Sequence, residues 1–102
     1  MHFEVFGRHW WRLVSANGRP VAISGESFAS RSNAVEAAKR FKANAKNYDF
    51  EIYADRRNKY RWRATASNSQ IVASSGEAFD SRSNAQRAAN NVQSNVGNAT
   101  AP

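Results

Sequence analysis

Short runs of alternating apolar and polar residues occupy the first part of the chain and return after its midpoint. Phe3-Glu4-Val5-Phe6 and Phe50-Glu51-Ile52-Tyr53 set apolar side chains two residues apart, the period of a half-buried strand. Tyr60-Arg61-Trp62-Arg63-Ala64-Thr65 alternates again after a polar turn. Asn17-Gly18 and Asn68-Ser69 stand where a tight hairpin turn needs residues that tolerate positive φ. Val21-Ala22-Ile23 and Ile71-Val72-Ala73 supply a third strand, with Pro20 at the start of the first, where a missing N–H does least harm. The period then lengthens. Ala34, Ala37, Ala38, Phe41 and Ala45, and later Ala85, Ala88, Ala89, Val92 and Val96, each form one apolar stripe on a helix. Ser30 and Ser81 precede these stripes as N-caps.

The two series are copies. Trp11-Arg12 falls on Trp62-Arg63, Gly25-Glu26 on Gly76-Glu77, and Ser30-Arg31-Ser32-Asn33-Ala34 on Ser81-Arg82-Ser83-Asn84-Ala85, all at an offset of 51. The second copy carries four extra residues in its first turn, around Asp55-Arg56-Arg57-Asn58. The expected fold is therefore α+β, with tandem β-β-β-α repeats forming one six-stranded antiparallel sheet and two helices packed on one face. The expected organisation is a single domain over 1–96, with repeat one at 1–47 and repeat two at 48–96, followed by a flexible tail over 97–102. Phe3, Val5, Trp11 and Leu13, with Phe50, Ile52, Tyr60, Trp62 and Ala64, should face the helices.

These residues carry a resemblance. Phe50-Glu51-Ile52-Tyr53, Tyr60-Arg61-Trp62-Arg63, Asn68 with Ile71-Val72-Ala73-Ser74, and Ser81-Arg82-Ser83-Asn84-Ala85 resemble the YegP-like family of small proteins of unknown function. The first copy departs at His9-Trp10, at its shorter first loop and at Pro20. The resemblance implies β-β-β-α units sharing a sheet, and it implies no activity, so no site residue is carried over.

The composition narrows the chemistry. The chain of 102 residues has no cysteine, which excludes disulfides and thiolate metal sites. No run is long and apolar enough to span a bilayer and no signal peptide is read, so a cytoplasmic location is expected. His2 and His9 are the only histidines, and neither a G-x-S-x-G elbow nor a phosphate-binding glycine loop is present. The reading is a non-enzymatic binding module, with no catalytic residue, metal or cofactor.

The net charge of +7 favours polyanionic partners. The strand positions facing away from the helices collect Glu4, Phe6, Trp10, Arg12 and Val14, then Glu51, Tyr53, Arg61, Arg63 and Thr65. Arginines among aromatics on a flat sheet suit single-stranded nucleic acid, because bases stack on rings and guanidinium groups meet phosphates. The candidate nucleic-acid-binding residues are Phe6, Trp10, Arg12, Tyr53, Arg61 and Arg63, extended by Arg56, Arg57 and Lys59 in the longer loop. Three other readings stand beside it. Glu4 and Glu51 can neutralise Arg12 and Arg63 as an ordinary solvated face. The face can instead be a protein or homodimer interface. Arg31 and Arg82 recur in the first helical turn, where a cation is unfavourable, and call for a partner. That partner is a carboxylate such as Glu26 or Glu77, the favoured reading, or a small external anion. The open-face positions differ between copies, so the two halves are not expected to bind identically.

Overall fold

A computed structural model describes residues 1–102. Strands β1 (His2–Phe6), β2 (Trp10–Val14) and β3 (Pro20–Ser24) lead into helix α1 (Arg31–Asn44). After a 3₁₀ turn over Ala45–Asn47, the order repeats as β4 (Asp49–Ala54), β5 (Tyr60–Thr65), β6 (Ile71–Ser74) and α2 (Arg82–Asn95), closing on a second 3₁₀ turn over Val96–Asn98. The six strands form one antiparallel sheet in the order β1-β2-β3-β6-β5-β4. The copies thus meet at their third strands, with Ile23 opposite Ser74 and Ser24 opposite Ala73.

Local chemistry sets the element ends. The Ser30 and Ser81 hydroxyls accept from the Asn33 and Asn84 amides at 3.1 Å, satisfying an orphan donor at each helix start. Gly18 and Ser69, equivalent in the two copies, both take positive φ in the β2–β3 and β5–β6 turns.

Helix α1 packs on β1 and β2, and α2 on β4 and β5. Their small buried residues, Ala34, Ala37, Ala38, Ala85 and Ala89, let the backbone lie close to the sheet. Between helices and sheet runs a chain of rings. Phe3 meets Trp11 edge-on at 5.4 Å, Trp11 meets Phe41 at 5.0 Å, Phe41 meets Phe50 at 6.3 Å, and Phe50 meets Trp62 at 5.2 Å. Phe41, from the first copy, contacts rings of both, which makes the two thin units one core. Val5, Phe50 and Ile52 pack at its margin and Tyr60 is half-buried.

Two expectations are corrected. Val14, placed among the solvated positions, is buried at 5% exposure. It pairs with Pro20 where the register with β3 shifts by one extra residue, Val21, and the same shift recurs at Thr65 with Val72 extra in β6. Residues 97–100, expected within the flexible tail, are tied down. The Phe3 amide donates to the Thr100 carbonyl at 2.9 Å, the Thr100 amide donates to the Met1 carbonyl at 3.0 Å, and Ala99 is buried in the core. The cause is the duplication: Ala99-Thr100 occupies in copy two the position at which Tyr48-Asp49 enters β4 in copy one. No helix is long and apolar enough to cross a membrane.

Candidate functional site

The sheet face away from the helices carries two matching clusters, one per copy. Directly opposed residues in an antiparallel pair share a face, so the register puts Glu4 against Arg12 and Phe6 against Trp10. In copy two it puts Glu51 against Arg63 and Tyr53 against Arg61. β2 and β5 lie three strand spacings apart, or about 14 Å.

Within each cluster the arginine is fixed from two sides. Arg12 Nε donates to Glu4 Oε1 at 2.8 Å, and its guanidinium lies over the Phe6 ring, 4.7 Å from the centroid. Arg63 Nε donates to Glu51 Oε1, and its guanidinium lies over Tyr53 at 4.8 Å. A carboxylate and a ring hold each planar group side-on, and the bond to carboxylate uses Nε alone. Glu4 also meets His2 Nε2 at 2.9 Å. The hydrogen bonds from His2 and Arg12 hold its carboxyl below the usual carboxylate range.

The other predicted residues divide. Arg61 Nε donates to Asp55 Oδ2 at 3.0 Å, and Lys59 is paired with Asp80. Asp55 is held below its ordinary value first by the Arg61 bond, then by the Arg57 and Lys59 backbone amides, while Lys59 does the same for Asp80. Arg56 and Arg57 are exposed in the β4–β5 turn with no carboxylate partner. Trp10 is half-buried and has no arginine over it. The expectation for Arg82 is corrected. Its guanidinium lies 5.6 Å from the Tyr60 centroid and its Nη1 reaches the Ile52 carbonyl at 3.5 Å, so a ring and a carbonyl, not Glu77, receive it. Arg31 is exposed and makes no ion pair with Glu26. The structure brings together Phe6, Trp10 and Arg12 on one side and Tyr53, Arg61 and Arg63 on the other, with Arg56, Arg57 and Lys59 beyond. It does not add Arg31 or Arg82 to them. No group of three or more His, Asp or Glu side chains is gathered as for a metal.

The paired carboxylates make the fold acid-sensitive. A group whose pKa is depressed by folding contributes stability above its unfolded pKa and loses it as pH falls through the folded value. Thermal midpoints should therefore drop on acidification below about 4.5 for the Glu4 contribution and below about 3.8 for Asp55 and Asp80. Asp55→Asn should remove part of that drop in melts across pH. A midpoint that rises through this range would contradict the assignment.

Sequence reasoning found the face but missed the buried serines beneath the seam. Ser24 Oγ accepts from the Trp11 amide at 3.3 Å and donates to the Glu26 carbonyl at 2.9 Å, while Ser75 Oγ donates to the Glu77 carbonyl at 2.7 Å. Their recurrence before each Gly-Glu pair was the available signal.

Comparison with known proteins gives matches over most of the chain. A family model described as a domain of unknown function, DUF1508, matches twice, over residues 6–49 and 55–101. UPF0339 proteins of Neisseria meningitidis serogroups A and B are each 44% identical over 45 residues, covering 44% of this chain and 79% of theirs. The solution structure of the Escherichia coli protein of unknown function yegP superposes with a TM-score of 0.74 at 20% identity, covering 91% of this chain and 79% of that one. A UPF0339 protein of Shewanella oneidensis superposes with a TM-score of 0.70 at 19% identity, covering 94% and 82%. These structural likenesses concern the fold.

Proposed function

The chain belongs to the DUF1508 family, and from that premise we propose that it is a non-enzymatic binding module whose solvated sheet face takes a polyanion, with single-stranded nucleic acid the leading candidate. One observation carries the reading. Arg12 and Arg63 spend Nε on a carboxylate and rest on a ring, and neither guanidinium makes a hydrogen bond through its Nη atoms. Such a group is already oriented, so an incoming phosphate would meet its free Nη–H donors with little side-chain freedom left to lose. The half-exposed Trp10 ring offers a base a stacking surface, and Arg56 and Arg57 extend the positive field from the turn. The copies share the carboxylate, arginine and ring but differ at Trp10 and Arg61, so the halves are proposed to orient phosphates alike and bases differently.

Titration of labelled single-stranded and duplex oligonucleotides at two salt concentrations tests this. Single strands should bind more tightly, and affinity should fall as salt rises through counterion release. Replacing Arg12 and Arg63 together with alanine should weaken binding at least about tenfold and flatten the salt dependence. No binding in low salt overturns the proposal. So does a stable dimer by light scattering that hides the face, the result a self-association module would give.

A further inference from the structure

On the helix side, a cleft opens between α1 and the seam where β3 meets β6. Trp11, Phe28, Phe41, Tyr48 and Ile71 form its apolar walls, and it holds about 120 Å³. That is on the scale of an engineered cavity of roughly 150 Å³ that accepts benzene, so the space suits one branched aliphatic or phenyl group and no larger ring system. Ile71 is the one large apolar side chain on the molecule that is exposed, at 43%, and it stands at this opening.

Two charges of opposite sign also line the cleft. Glu26 comes from the loop after β3, and Arg40 from the third turn of α1. Both are exposed, and neither is joined to the other or to any other residue in an ion pair. Most other carboxylates of the chain have found a cation: Glu4, Glu36, Glu51, Asp55 and Asp80 are all paired. An unjoined acid and base on the rim of one small apolar cleft match a ligand carrying one negative group, one positive group and a compact apolar side chain.

The duplication supplies a second, independent comparison. At the offset of 51, Arg40, Phe41 and Tyr48 correspond to Asn91, Val92 and Ala99, so the cation and two of the rings occur in copy one alone. Both tryptophans are almost wholly buried, but only Trp11 lines the cleft, while Trp62 Nε1 is buried without a partner. Copy two keeps the Gly-Glu pair and the Phe79 ring without the cation or the two further rings. Only in copy one does the recurring acid stand with a cation and these larger rings at one cleft.

The geometry points to a binding site for a free α-amino acid with a leucine- or phenylalanine-sized side chain. The side chain enters between Trp11 and Ile71, the α-carboxylate meets the Arg40 guanidinium, and the α-ammonium meets Glu26. This site is on the opposite side of the sheet from the polyanion face and is independent of that reading.

Amide NMR of the full chain, titrated with L-leucine and L-phenylalanine, tests it. Shifts should localise to Gly25 through Phe28, to Ile71 and to the Trp11 indole N–H. 4-Methylpentanoate, which keeps the carboxylate alone, and isopentylamine, which keeps the ammonium alone, should each bind about tenfold more weakly or worse. Arg40→Ala and Glu26→Gln lie on the exposed rim, so the rest of the spectrum should be retained while affinity drops by a similar factor. The inference is overturned if neither amino acid moves the cleft signals, if 4-methylpentanoate binds as well as leucine, or if both variants bind like the unaltered chain.

Discussion

Gly25→Ala should lower the stability of the folded chain by about 3 kcal/mol or more, a large share of the roughly 5–15 kcal/mol available to a domain of this kind. Gly25 lies just past β3, where its amide donates to the Val72 carbonyl at 3.2 Å across the seam between copies. A Cβ there would stand 2.3 Å from the Ile71 carbonyl oxygen and 3.0 Å from its carbon. Those are backbone atoms, so no side-chain rotation relieves the contact. β3 and β6 would have to move apart, and few register pairs hold them together. Two other glycines separate the cause from the residue type. Gly18 has φ +81 but open space around it, so its alanine variant should cost about 1–2 kcal/mol through backbone conformation alone. Gly97 has neither constraint, so Gly97→Ala should be neutral or stabilising by about 0.5 kcal/mol. Urea denaturation of the three variants checks the order. A Gly25→Ala protein within about 1 kcal/mol of the unaltered chain would show that the seam yields more easily than its geometry says.

Much of this architecture could be read from residue order because the duplication states it twice. Alternation at Phe3–Phe6 recurs at Phe50–Tyr53, and the change to helical period after Ser30 recurs after Ser81. Those signals are local, and they specified elements, the inward face and the caps. Phe41 as a bridge between copies was not legible, since a helical stripe says which side is buried and not which rings lie across from it. Nor was the docking of Ala99-Thr100 on β1, because a short segment without period has no local signature. The burial of Val14 was not legible either, since alternation assigns a residue to a face and not how far its neighbours cover it.

The candidate face shows the same division. Which arginines and rings share it followed from alternation. How each guanidinium is spent did not, because that depends on cross-strand register and rotamer. Arg12, Arg61 and Arg63 all turn Nε to a carboxylate. The expectation that the Arg82 partner would be an acid failed for a related reason. Tyr60 and the Ile52 carbonyl come from neighbouring strands β5 and β4, far from Arg82 in residue order, which therefore gave no sign of them.

Trp62 is the site of the second large effect. Its side chain is fully buried, packed on Phe50 at 5.2 Å, and its Nε1 has no hydrogen-bond partner. Trp62→Ala should cost about 3–5 kcal/mol, enough to leave a small domain with little margin. Trp62→Phe should cost far less than the loss of ring volume alone suggests. An unsatisfied buried donor carries a penalty of about 1–3 kcal/mol, and phenylalanine removes the donor while keeping a ring against Phe50. The two terms oppose each other, so the net loss should fall below about 1.5 kcal/mol. Urea midpoints for the two variants decide between cavity and orphaned donor. If Trp62→Phe is nearly as costly as Trp62→Ala, packing of the whole indole governs the site and the unpaired N–H contributes little. If it is nearly neutral, the scaffold has kept a tryptophan whose nitrogen it cannot satisfy, and the second copy owes its sealed interior to the ring alone.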